Sequence, residues 1–115
     1  MFDVDECISA DDLHVLAEGL VCTIAPVRVA RVEPGQRLID DLGYHSLALA
    51  ELKFAIEDLF NIESFGVEAA AVVERFGDIL EMLDRFIKDG GGELPRVDDV
   101  AGLFARYGVP SPISR

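Results

Sequence analysis

The residues best placed to do chemistry sit in one short run, "DDLGYHSLALAEL", residues 40–52. A hydroxyl, Ser46, follows an imidazole, His45, behind a glycine turn at Gly43, where an apolar helix begins. A catalytic serine needs a base within hydrogen-bond reach and a third group to orient that base. Adjacent side chains at a helix start diverge, and the chain has no Gly-x-Ser-x-Gly elbow. Hydrolysis is therefore a poor fit. The simplest structural role is an N-cap, for which serine is preferred at a worth of ~1 kcal/mol. The third role is attachment. A serine behind a flexible glycine loop is exposed, and the free N–H groups and partial positive charge of a helix N-terminus favour a phosphate there.

Other chemistries find little support. Cys7 and Cys22 are too few and too irregularly spaced for a disulfide framework or a zinc site, and they read as reduced thiols. His14 and His45 have no cysteine or second histidine at ligand spacing, so no metal is expected.

The elements that must position Ser46 follow from apolar spacing. A first helix is expected over residues 11–23, where Leu13, Leu16, Leu20 and Ile24 recur at three- and four-residue intervals. Ser9 or Asp11 can cap it, and Pro26 marks its end. Residues 25–45 read as a long loop with "EPGQ" as a turn signal, held to the core by Leu38, Ile39 and Leu42. A connection that long without structure of its own is often functional.

A second helix is expected over residues 46–60. On a wheel of about 100° per residue, Leu49, Leu52, Ile56, Leu59 and Phe60 form the core stripe. Leu47, Ala50, Phe54 and Asp58 fall on the far side, flanked by Glu51 and Glu57. Leucine and phenylalanine on an outward face, ringed by acids, suggest a contact surface beside Ser46. Further on, "VEAAAVVERF" reads as a short helix or turn, and "FGDILEMLDRFIKDGGG" as a helix stopped by Gly90–Gly92. The glycines also suggest a linker dividing residues 1–89 from a C-terminal extension, 90–115. There Val97, Val100, Leu103, Phe104 and Tyr107 make a small amphipathic helix, expected to pack back on the domain. No stretch alternates with period two for long, so the fold class is all-α.

Half of the 115 residues are apolar, enough for one core. The net charge of −12 repels nucleic acid and anionic lipid and favours basic protein partners. Met1 is followed by "FDVDEC", with no basic start or apolar segment of a signal peptide, and no run approaches the ~20 residues of a membrane span. A cytoplasmic protein is the expectation.

Taken together, "RLIDDLGYHSLALAELKFAIEDLFNI" resembles the modification segment of acyl and peptidyl carrier proteins. The matching pattern is an acid, Leu-Gly, two variable residues and Ser-Leu: here Asp41, Leu42, Gly43, Tyr44, His45, Ser46 and Leu47, followed by Glu51 and Leu52. "ERFGDILEML" resembles the start of that family's last helix, and the resemblance covers roughly residues 10–88. It implies a four-helix bundle of the acyl-carrier type, here with a C-terminal extension that adds a short helix. It implies 4′-phosphopantetheine, derived from coenzyme A, attached to Ser46 and carrying an acyl or aminoacyl group as a thioester. A freestanding, non-catalytic carrier of polyketide, nonribosomal peptide or related biosynthesis follows. Its implied partners are a phosphopantetheinyl transferase, a loading enzyme and downstream synthase or tailoring enzymes. Tyr44, His45, Leu47, Ala50, Glu51, Phe54 and Asp58 map to the family's recognition surface.

Three features depart from the pattern. His45 stands where fatty-acid carriers have aspartate, and beside it Tyr44 fits neither the acyl nor the peptidyl subgroup. Lys53 lies where an apolar or acidic residue is commoner. The extension also resembles a last helix, although residues 76–89 lie at the distance from Ser46 that an ordinary carrier has. The alternative is an unmodified helical interaction module that keeps the carrier fold. A monomer is the simplest expectation for so acidic a chain.

Overall fold

Pro26 has no N–H to continue a helix, and the first helix ends just before it. The structure, a computed structural model, describes residues 7–63 and 72–113. Among these residues the fold is all-helical, with four α-helices: α1 (Leu13–Ile24), α2 (Ser46–Leu59), α3 (Phe76–Asp89) and α4 (Val97–Arg106). The described residues form no strand, only the isolated bridges Cys7–Arg96 and Arg37–Arg75. Most of the expected short helix or turn in "VEAAAVVERF" lies outside the described residues, whereas 72–75 run as non-helical chain into α3.

Side chains close the 3₁₀ turn ahead of α1 and the start of α3. Ser9 donates to Asp12 Oδ2 from both its backbone N–H and its hydroxyl, at 3.2 and 3.1 Å, opening a single 3₁₀ turn (Ala10–Asp12) ahead of α1. Asp78, in the first turn of α3, accepts the N–H groups of Glu74 and Arg75, both at 2.9 Å. Those two bonds hold its carboxyl below the usual carboxylate range. α3 stops at Gly90, whose φ of +80° suits a residue without Cβ.

α1 buries Leu16, Ala17, Leu20 and Val21, and packs on both α2 and α3. α2 turns Ala48, Leu52, Ala55, Ile56 and Leu59 inward. Phe60, Phe76 and Phe104 are buried with them. Full burial of one such ring contributes roughly 1.5–3 kcal/mol.

The glycine run does not set the extension loose. Gly91 and Gly92 donate to the Phe86 carbonyl, and Glu93 N–H donates to the Phe60 carbonyl at 2.8 Å. α4 packs on α2, burying Val100, Leu103 and Phe104, and Ile8 N–H donates to the Pro95 carbonyl at 2.9 Å. Gly19 makes room on α1: a Cβ there would stand 3.1 Å from Pro112 Cγ and 3.3 Å from Phe104 Cζ.

The long loop is also more structured than its composition suggests. Leu38 N–H donates to the Glu74 carbonyl, Phe76 N–H to that of Gln36, and Gly77 N–H to that of Pro34, which ties the loop to the start of α3. Leu38 and Leu42 are buried as expected. Ile39 is not: it is 60% exposed, because the turn that buries its neighbours points it outward.

Candidate functional site

The approach to Ser46 is fixed by two backbone events. Gly43 adopts φ +76°, and a Cβ there would come within 3.1 Å of Val27 Cγ2. Tyr44 then turns inward: its ring is buried, its N–H donates to the Leu38 carbonyl at 2.9 Å, and its phenol donates to the Val21 carbonyl at 2.6 Å. This corrects the expectation that Tyr44 belongs to a recognition surface. Its hydroxyl has a partner inside the fold, so nothing keeps the ring at the surface. Burial, with the nearby Cys22, Glu51 and Tyr107 adding to it, pushes the phenol well above its ordinary range.

His45, not Ser46, is the N-cap of α2. Its backbone is extended (φ −130°, ψ 179°), and Nδ1 accepts the Ala48 N–H at 3.3 Å. An acceptor at Nδ1 requires the neutral ring with its proton on Nε2. The His45 carbonyl takes the Leu49 N–H at 2.9 Å. Of the amides left over at this helix start, that of Ala48 is thus satisfied, and those of Ser46 and Leu47 have no acceptor among the described residues.

Ser46 is therefore the first residue inside the helix. Its side chain is exposed, and its hydroxyl makes no hydrogen bond to any described residue. Its capping role is taken by its neighbour, so the hydroxyl is left free at the positive end of a 14-residue helix. A phosphodiester fits this setting: an open oxygen, two free N–H groups and a favourable dipole.

Past Ser46 the outward face of α2 opens. Leu47 is 78% exposed and Phe54 63%, with Ala50, Glu51 and Asp58 also exposed. Lys53 lies 5.3 Å above the Phe54 ring and pairs with Glu57 at 2.9 Å. The inward side of the same helix borders a cavity of about 220 Å³ between α2 and α3, lined by Leu38, Leu49, Leu52, Ile56, Ile79 and Met82. Leu49, the first α2 residue on its wall, comes three positions after Ser46, about 4.5 Å along the axis.

The structure thus brings together Ser46, His45, Leu47, Ala50, Glu51, Phe54 and Asp58 along one helix and leaves Tyr44 out. Sequence reasoning missed two neighbours, Arg106 and Tyr107 at the end of α4. Tyr107 donates to Glu51 Oε2 at 2.7 Å, and Arg106 Nη2 lies 3.8 Å from Asp58 Oδ2. No spacing signal marks contacts across some fifty residues. Cys22 is a weak candidate for reactivity, since burial, and then Glu18, pushes its thiol up. No helix of the described residues is long and apolar enough to cross a membrane. Comparison with protein-family models and with curated proteins found no match to this chain.

Proposed function

We propose that the protein is a carrier that holds acyl or aminoacyl intermediates on a 4′-phosphopantetheine arm attached to Ser46. The observation that supports this most is the division of labour at the start of α2: His45 caps the helix, which leaves the Ser46 hydroxyl exposed and without a hydrogen bond to any described residue. A serine that served only as a cap would spend its oxygen on the Ala48 or Leu49 amide.

When bound, the arm supplies a terminal thiol on which cargo rides as a thioester. The chain's own residues do the rest. Ser46 Oγ would be the point of attachment, and the amides of Ser46 and Leu47, without an acceptor among the described residues, would be available to the added negative charge. Leu47 and Phe54 offer an apolar patch for the enzymes that load and use the cargo. The cavity between α2 and α3 offers an apolar wall close to the attachment point. In this reading the bundle is of the acyl-carrier type, with α3 as the family's last helix and α4 as an addition. The carrier works in the cytoplasm as a monomer, with a phosphopantetheinyl transferase, a loading enzyme and downstream synthases as partners.

The alternative, an unmodified interaction module using the extension as its docking tail, gains little from the packing. Val100, Leu103 and Phe104 are spent on the protein's own core. Labelling with fluorescent coenzyme A and a broad-specificity phosphopantetheinyl transferase tests the site. The wild type is expected to take the label and Ser46→Ala to refuse it while keeping its helix content. Equal labelling of the two would reject Ser46.

A further inference from the structure

α2 carries three acids, Glu51, Glu57 and Asp58, and the fold answers each of them. Lys53 pairs with Glu57 at 2.9 Å. Tyr107 donates its phenol proton to Glu51 at 2.7 Å, and Arg106 stands 3.8 Å from Asp58. These last two come from the end of α4, a helix fixed to the core by Val100, Leu103 and Phe104. Their backbone is therefore held beside α2. The two large apolar side chains of the same face, Leu47 and Phe54, are left 78% and 63% exposed. A chain with a net charge of −12 attracts basic surfaces at long range, yet at this face each acid already has a partner, Glu57 and Asp58 a cation and Glu51 a phenol donor.

We propose that Arg106 and Tyr107 are specificity-determining residues of the α2 face. They hold the acids that a strongly basic partner would seek, and so favour a protein partner that docks by apolar contact on Leu47 and Phe54. This rests on the reading of the chain as a carrier whose partners dock on α2. The Arg106–Asp58 pair is exposed on both sides, with side-chain exposures of 67% and 73%, so it discriminates weakly. The Tyr107–Glu51 bond has a charged acceptor and is the stronger element. Burial, and then the Glu51 carboxylate, pushes the Tyr107 phenol up to about 12, so it remains a donor at neutral pH. Discrimination of this kind works by making a wrong partner's cations compete with Tyr107 and Arg106 for the two carboxylates.

The test is steady-state transfer from coenzyme A onto the whole chain by a phosphopantetheinyl transferase whose docking surface is basic. Wild type, the double variant Arg106→Gln/Tyr107→Phe and Phe54→Ala are compared at low and high salt. In the double variant the KM for the chain should fall about two- to fivefold at low salt, the size expected for releasing exposed contacts to a carboxylate. The kcat should stay unchanged, and the gain should vanish at high salt as the freed acids are screened. Phe54→Ala should raise KM at both salt concentrations. An unchanged KM in the double variant overturns the proposal, and so does a raised one, which would make Arg106 and Tyr107 direct partner contacts. Tyr107→Phe alone, which keeps the ring, carries the same test if the double variant does not fold. Absence of transfer to every form rejects the carrier reading itself, and the proposal with it.

Discussion

The Tyr44 phenol donates to the Val21 carbonyl at 2.6 Å, and this bond ties the loop ahead of Ser46 to α1. The same carbonyl also accepts the Ala25 N–H at 3.1 Å. Tyr44→Phe therefore removes a bond without orphaning the acceptor, and should cost about 0.5–1.5 kcal/mol in denaturant unfolding. The pH dependence has a definite sign. The folded chain holds the Tyr44 proton more tightly than the unfolded chain, whose tyrosines ionise near pH 10. This contribution is complete below about pH 10 and declines as pH rises above it. Unfolding midpoints measured from pH 8 to 11 should fall less steeply in Tyr44→Phe; identical slopes would contradict the burial.

Capping by His45 makes a prediction that separates it from Ser46. His45→Ala should cost ~1 kcal/mol, the usual loss for an N-cap. His45→Asp should keep most of that stability, since aspartate is a good cap and complements the helix dipole. Equal losses in the two variants would mean that the imidazole acts in some way other than capping.

Gly43 sits at φ +76° against Val27. Gly43→Ala combines an unfavourable backbone with a tight contact, and should destabilise the chain by about 1–2 kcal/mol. Thermal unfolding measures this. A neutral result would show that the turn can relax without holding Ser46 in place.

Leu47 and Phe54 are expected to matter for docking and little for folding. Leu47→Ala should leave stability within about 0.5 kcal/mol, as for an ordinary surface substitution. Phe54→Ala also gives up the Lys53–ring contact, worth ~0.5–1 kcal/mol at an exposed site. Both should slow loading of the chain at unchanged helix content by circular dichroism. A large loss of helix content would place these side chains in the packing instead.

The residues that were legible in the sequence are those whose role is set by local spacing. Leu52, Ile56 and Leu59 recur at helical intervals and are buried in α2; Leu13, Leu16 and Leu20 do the same in α1. Leu47 and Phe54 fall off that stripe and are exposed. What the spacing could not show depends on groups far away in the chain. Tyr44 is buried because the Val21 carbonyl, 23 residues earlier, meets its hydroxyl. Glu51 is engaged because α4 brings Tyr107 to it from 56 residues later. Serine is the type expected to cap α2, and the structure gives that place to His45 instead, through its extended backbone and its Nδ1 bond from Ala48 N–H.

The central claim is that the free Ser46 hydroxyl exists to be modified. The most direct measurement is the intact mass of the chain after incubation with coenzyme A and a broad-specificity phosphopantetheinyl transferase, followed by localisation of any added mass. A gain of one phosphopantetheinyl group on the peptide containing Ser46, absent in Ser46→Ala, is the expected result. An unchanged mass in a folded sample, with a known carrier modified in the same tube, would contradict it.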